Sequence, residues 1–280
     1  MSTLEGLTRI IVISLDDAHE RREEFRRKAS QFPFEWTFFD AHRSLSPDLS
    51  YDEAKARRTM GRPLQPGELG CYSSHYAIWK NLLSDNVGQY LVLEDDVTLD
   101  WRRLEQLASH DLGRSGIEYL RLYYKKPCEH IVLQRPFLWR GTALLQLLGK
   151  AYGTQAYMIT RRAAEWFVSR FSCVTRPIDD CMDRFWAHGV PNLAIFPFPL
   201  FEEAVPSLIG ASRFAPDSHN QAIPASALWR ERLTRRSAIF ATRVSHAIRR
   251  RTGGSTLPTG PWPAEPGRPQ HPGTAAKPGD

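Results

Sequence analysis

Apolar runs and amphipathic stretches alternate along the first 210 residues or so of the chain. IIVISL (10–15) and YLVLEDD (90–96) each carry a nearly continuous apolar run of strand length. That is the pattern of a strand buried on both faces of a sheet. FEWTFFD (34–40), YLRLYY (119–124), AYMIT (156–160) and LAIFPF (193–198) extend the strand set. Between them, EEFRRKASQF (23–32), PGELGCYSSHYAIWKNLLSD (66–85) and RRAAEWFVSRF (161–171) read as helices. In the second of these, Leu69, Tyr72, Tyr76, Trp79 and Leu83 recur at near-helical spacing. Strands alternating with helices predict an α/β fold: one Rossmann-type domain over residues 1–210 with a mainly parallel sheet. In such sheets ligands bind beyond the carboxyl ends of the strands.

The pattern changes after residue 210. Residues 211–251 form a linker and then a basic helix, in which Trp229, Leu233, Phe240, Val244 and Ile248 are spaced by four or seven and arginines fill the other faces. An amphipathic helix lying on an anionic membrane surface has this signature. A helix packed on the domain with a charged outer face, or a nucleic-acid contact, would share part of it. Residues 252–280 hold seven prolines and six glycines, too many breakers to bury a core, so disorder is expected there.

Charge sharpens this division. The formal net charge is +6, yet residues 225–251 contain eight arginines against one acid, Glu231, which makes +7 and leaves −1 for the rest. Basicity confined to one segment does not imply a nucleic-acid-binding surface, and no nucleic-acid partner is expected. Composition is otherwise ordinary, with 42% hydrophobic and 24% charged residues. No apolar run nears the ~20 residues that span a bilayer, and the start lacks the basic and apolar regions of a secretory leader. Cys71, Cys128, Cys173 and Cys181 form no C-x-x-C pair. They read as free thiols in a reducing cytoplasm, not as a zinc site or disulfide framework.

The chemistry concentrates where YLVLEDD turns acidic. Adjacent like charges repel, and removing them from water is costly unless something positive is present. In extended backbone Glu94 and Asp96 share one side and Asp95 takes the other. Two carboxylates on one face suit a hard divalent cation, Mn²⁺ or Mg²⁺, able to hold a diphosphate. A solvated acidic turn is the plainer alternative, and receiver domains, phosphatases and nucleotidyltransferases also end strands in acids.

Seven stretches, in order over about residues 8–210, carry a family resemblance: IIVISLDDAHERREEF, FFDAH, LQPGELGCYSSHYAIWK, VLEDDV, GTQAYMITRRAAEWF, RPIDDCM and FPFPLFEEAVPSLIG. The chain resembles glycosyltransferase family 25, the lipopolysaccharide and lipooligosaccharide glycosyltransferases related to the collagen galactosyltransferases. The resemblance implies a GT-A-like fold, a UDP-sugar donor, a divalent metal and inverting transfer, typically of galactose, to a growing glycan or glycolipid acceptor. Glu94, Asp95 and Asp96 then look like the family's D-x-D motif, here beginning with Glu; Glu94 and Asp96 are the expected metal ligands and Asp95 a donor contact. An inverting displacement needs a general base. Asp179 and Asp180 are the candidates, with Asp179 favoured by its position in the matched segment; the alternative is that either one caps the following helix.

The remaining donor-site candidates are Ser14, Arg21, Arg22, Asp40, Glu68, Ser74, His75, Gly153 and Thr154. Arg21 and Arg22 follow the first strand, where a diphosphate could be met; ion pairs on a solvated helix would explain them equally. Asp40 ends the second strand, where an acid can meet a ribose or base. Glu68, Ser74 and His75 fall near one helix face, as a polar lining or as a well-capped first turn. Cys71 on that face reads as packing. Gly153 and Thr154 bring backbone close to a ligand or form a simple turn. The leading expectation is a transferase acting at the inner face of a membrane. A catalytically silent nucleotide-sugar-binding protein and an acidic-pocket phosphotransfer enzyme are its competitors.

Overall fold

In the computed structural model, residues 7–30, 32–202, 222–258 and 260 are described. The elements run β1 (Thr8–Ser14), α1 (His19–Ala29), β2 (Trp36–Asp40), β3 (Ser50–Tyr51), α2 (Glu53–Met60), α3 (Pro66–Ser84) and β4 (Gln89–Glu94). There follow β5 (Val97–Leu99), α4 (Trp101–Ala108), β6 (Tyr119–Arg121), β7 (His130–Gln134), β8 (Ala143–Leu147) and β9 (Ala156–Thr160). Then come α5 (Arg161–Arg170), β10 (Cys173–Val174), α6 (Ile178–Asp183), α7 (Phe185–His188), β11 (Leu193–Phe196), β12 (Leu200–Glu202) and α8 (Ala225–Thr252).

Eight strands form one sheet in the order β2-β1-β4-β9-β6-β11-β8-β7. Strands β2, β1, β4, β6, β11 and β7 run one way and β9 and β8 the other, so the sheet is mixed with a dominant direction. Both faces are covered. Ile10 and Val12 of β1, Leu91 and Leu93 of β4 and Met158 of β9 pack on one side with Phe25 of α1 and Leu104 of α4. Ile11, Ile13, Tyr90, Val92, Tyr157 and Ile159 pack on the other with Trp79 of α3 and Phe167 of α5. Successive side chains alternate between faces, so a strand buried on both must be apolar at every position. This is why IIVI and YLVL read as unbroken runs.

The sequence reading missed β7 and β8. ALLQL of β8 is fully buried but has no β-branched or aromatic residue to separate it from a helix segment. It also started the first helix at residue 23, whereas α1 begins at His19, one turn earlier. Disorder expected from 252 onward is contradicted at its start: Leu257 packs against the first core cluster. Residues 203–221 and 261–280 lie outside the described residues, and with them the end of the domain expected over 1–210, most of the linker and nearly all of the expected tail.

Helix α3 is seated against the turn after β2. Ser74 Oγ accepts from the His42 amide at 2.8 Å and Ser73 Oγ from the Ser46 amide at 2.9 Å. That closeness explains Gly70. A Cβ there would collide with the His42 carbonyl oxygen and lie 2.8 Å from the Arg43 carbonyl carbon, both backbone atoms with nowhere to go. Gly70→Ala is therefore expected to lower unfolding free energy by ~1–3 kcal/mol, the usual cost of forcing a methyl into a packed contact. Urea denaturation of the variant beside the wild type measures it, and equal midpoints would contradict this account of the seat.

Candidate active site

Three strand ends and one strand start meet at a single edge of the sheet. Register pairs Ser14 with Asp40 and Ile13 with Glu94, so β1, β2 and β4 finish level. Strand β9, inserted antiparallel beside β4, begins where they end, and the Glu94 amide donates to the Gln155 carbonyl at 2.8 Å. Thr154 is thereby brought beside Glu94.

Glu94 is the last residue of β4, and Asp95 and Asp96 form a tight turn into β5. This corrects the expectation of extended backbone through all three acids. The turn lets one cation reach two of them: Arg21 Nη1 lies 3.1 Å from Asp95 Oδ1 and 3.7 Å from Asp96 Oδ2. Asp95 also accepts from Ser14 Oγ at 2.6 Å.

Glu94 and Asp96 are less well served. Thr154 Oγ1 donates to Glu94 Oε1 at 2.6 Å. Burial first, and then the Asp96 charge, nevertheless push the Glu94 carboxyl up to about 8, with Thr154 and Lys125 opposing. Asp96 is raised in the same way by burial and by Asp95, against Arg21. Its Oδ1 is buried without a hydrogen-bond partner. An excess of half-buried negative charge with an orphaned carboxylate oxygen fits a cation. Among the described residues, no three His, Cys, Asp or Glu side chains converge to hold an ion. The residues therefore suit a cation that takes one or two carboxylates and leaves its other positions to phosphates and water, as Mg²⁺ does.

Sequence reasoning did not single out the rest of the rim. Lys125 Nζ pairs with Glu202 Oε1 at 2.7 Å, and Glu202 also accepts from Gln155 at 3.0 Å and from the Tyr123 hydroxyl at 3.3 Å. Both Lys125 and Glu202 act electrostatically on Glu94 and Asp96. Glu202 falls within the matched stretch FPFPLFEEAVPSLIG, but only β12 folding back beside β5 brings it here.

The loop before β9 links the two acidic motifs. Gly153 N–H donates to Asp179 Oδ2 at 3.3 Å, one residue from the Thr154 that holds Glu94. Buried charge shapes this loop. Arg121 donates to the Gly153 carbonyl at 2.6 Å and lies 2.9 Å from Asp183, whose other oxygen accepts from the Ala151 and Tyr152 amides at 2.8 and 2.7 Å. Asn192 bridges Arg121 and Asp183 with bonds of 3.0 Å each. Tyr152 and Gly153 take φ values of 56° and 88°. Gly153 is required: besides its φ, a Cβ would strike the Gln155 side chain and sit 3.2 Å from Lys125 Cγ.

Asp179 and Asp180 lie in the first turn of α6; Pro177 is its N-cap, and Asp179 Oδ1 accepts from the Asp180 amide at 2.8 Å, so Asp179 also satisfies a first-turn N–H. Asp180 is held by Lys150 at 2.5 Å and Arg176 at 3.1 Å. Burial works to raise its carboxyl, but Lys150, Arg176 and Arg184 together hold it below the ordinary range. Arg22 joins the strand-end cluster, donating to Asp40 at 2.5 Å and to the Ser14 carbonyl at 3.0 Å.

The α3 candidates are engaged elsewhere. Glu68 is buried, pairs with Arg62 at 2.7 Å and accepts from the Gln65 amide at 2.9 Å, completing a capping box. Ser74 donates to the Gly70 carbonyl at 2.9 Å as it seats the turn after β2. His75 is buried with Nδ1 2.9 Å from the Tyr157 hydroxyl, which also accepts from Trp79 Nε1 at 3.0 Å. Burial, then Arg121, pushes the imidazole down to about 3. It is therefore neutral, and shares one proton with the Tyr157 hydroxyl through Nδ1. All three have partners within the fold: the capping box for Glu68, the turn after β2 for Ser74 and Tyr157 of β9 for His75.

The model of the family described as glycosyltransferase family 25 (LPS biosynthesis protein) matches residues 7–182. The chain is 26% identical to the lipooligosaccharide biosynthesis protein lic2B of Haemophilus influenzae over 59% of its own length and 64% of the relative's. It is 25% identical to procollagen galactosyltransferase 1-A of Xenopus laevis, over 61% of this chain and 30% of that one. It is 29% identical to a probable inactive glycosyltransferase 25 family member 3 of Bos taurus, over 57% and 28%. The chain thus spans less than two thirds of each of these relatives.

The acid cluster makes a prediction about pH. The Glu94 carboxyl keeps its proton to about 8 when folded, against 4.5 for an ordinary glutamate. The folded state then binds the extra proton between those values, so this group's contribution is full below about 4.5 and is lost as pH rises through about 8. In metal-free buffer, wild-type stability should fall relative to Glu94→Gln between pH 5 and pH 8, by up to ~1.4 kcal/mol per pH unit. Parallel urea titrations give the comparison. Coincident pH profiles would mean that Glu94 ionises normally.

Proposed function

The chain belongs to glycosyltransferase family 25, and on that premise we propose that it is an inverting, metal-dependent transferase with a GT-A-like domain. It moves galactose from a UDP donor to a lipopolysaccharide-core or other surface glycan. One observation carries the reading: Glu94 and Asp96 are half-buried with raised carboxyls at the ligand-binding edge of the sheet, and a single loop joins Glu94 to Asp179.

A divalent cation, Mn²⁺ or Mg²⁺, would be held by Glu94 and Asp96 and, when bound, would supply Lewis-acid neutralisation of the departing diphosphate. Arg21 and Lys125 flank those carboxylates and add positive charge to the same place. Ser14 and Arg21 fix Asp95, and Arg22 fixes Asp40, so the ends of β1, β2 and β4 form one rigid wall for the donor. Gly153 and Thr154 present backbone beside it.

On the acceptor side, Asp179 is the general base that takes the proton of the attacking hydroxyl. Asp180 suits that task poorly, because three cations stabilise its ionised form and weaken its pull on a proton. Its role is to brace α6 through Lys150 and Arg176. The likeness to a probable inactive family member supports a second reading, a silent nucleotide-sugar-binding protein of the same fold.

UDP release from UDP-galactose with Mn²⁺ and an oligosaccharide acceptor separates these readings. Glu94→Ala and Asp96→Ala should drop to background, and Mn²⁺ should raise the melting temperature of the wild type but not of these variants. Asp179→Asn should lower kcat by ~10²–10⁴, with Asp180→Asn affected less. Full turnover in Glu94→Ala, or an Asp179→Asn variant as fast as wild type, would refute the assignment. Donor binding by a wild type without turnover would establish the silent reading.

A further inference from the structure

Helix α8 turns its amphipathicity the wrong way round for a helix packed on a protein. The side that meets the body, against α7 and α2, mixes small and apolar residues (Ala238, Ile239) with charged and polar ones. Glu231, its one acid, pairs with Arg176 at 3.2 Å and with Arg184, and lies 3.8 Å from Lys150. Arg243 pairs with Glu129 farther along, and His246 is the helix's buried residue. The apolar side faces outward. Trp229 is 65% exposed, Phe240 70% and Ile248 55%, with Leu233 and Val244 between them also exposed. At 3.6 residues per turn these five span an arc of about 100°. Exposed Arg230 and Arg236 border that arc, and exposed Arg251 ends it.

We propose that this outward face of α8 docks on an anionic lipid surface, with the helix lying in the plane of the interface. Apolar side chains rimmed by arginines match the boundary between acyl chains and negatively charged headgroups. The 28 residues are about 42 Å of helix, and no described helix is apolar enough to cross a membrane, so the helix lies on the surface. Charge selects against a second copy of the chain as the occupant. Pairing two such faces would bring two sets of arginines together with no acid between them, since Glu231 points inward. The inner face has its own consequence. Glu231 shares Lys150 and Arg176 with Asp180, so a lipid-bound α8 would fix the α6 side of the acidic edge at the membrane surface.

The test uses the full chain without donor, acceptor or metal, so its outcome is independent of the reaction assigned above. Cosedimentation should show binding to vesicles containing phosphatidylglycerol and little binding to pure phosphatidylcholine. The double variant Trp229→Ser, Phe240→Ser should bind the anionic vesicles at least tenfold more weakly while keeping the wild-type melting curve. Arg230→Gln, Arg236→Gln should bind more weakly and lose part of the salt dependence. Undiminished binding by the serine variant, equal binding to both vesicle types, or no binding by the wild type would each overturn the proposal. So would sedimentation velocity showing a dimer that the serine variant returns to monomer, which would make the face a contact between copies.

Discussion

Like charges held side by side and half withdrawn from water must find compensation, and the acidic edge of this sheet is organised around that requirement. Asp95 receives a hydroxyl and a guanidinium, while Glu94 and Asp96 receive less and keep carboxyls raised by burial and mutual repulsion. A cluster left so far from electrical balance is a poor way to stabilise a fold. It is a good way to attract a cation, because binding would relieve both the repulsion and the orphaned Asp96 oxygen.

Holding that cluster in register depends on a second set of buried charges. Arg121 and Asp183 are almost wholly inaccessible, and an ion pair in such a setting repays its desolvation only when every remaining polar atom finds a partner. Here those partners are Asn192 and the backbone of residues 151–153. The pair therefore works as a template for a loop with two consecutive positive φ values, a conformation that the chain would not hold alone. The loop's exit, at Gly153 and Thr154, is a place where the Glu94 and Asp179 motifs make contact with a common segment. Rigidity there fixes the spacing of two acidic motifs far apart in the chain.

Helix α8 meets the body through Glu231, and Glu231 is anchored by the cations that also restrain Asp180. One carboxylate thus ties the arginine-rich helix to the acid-bearing α6. This arrangement explains why a helix with eight arginines keeps a single acid, and why that acid points inward.

Much of this was legible in the residues alone. Unbroken apolar runs marked β1 and β4 as buried on both faces, AYMIT gave β9 to the residue, and the acid triplet could be assigned to a strand end because burial stops where charge begins. Local composition recorded the burial of β1, β4 and β9 faithfully, though not that of β2 or of the outward apolar stripe of α8. Direction and partnership are another matter. That β9 enters antiparallel beside β4, that Thr154 reaches Glu94 across 60 residues, that Gly153 reaches Asp179 across 26, and that Glu202 arrives beside Lys125 are long-range pairings without any local period. The same limit applied to His75 and Glu68, whose helix face was visible while its neighbours were not. The burial of β1, β4 and β9 follows from their own composition; the partners of a polar atom are decided only when distant segments meet, because desolvation penalises whichever atoms the completed packing leaves alone.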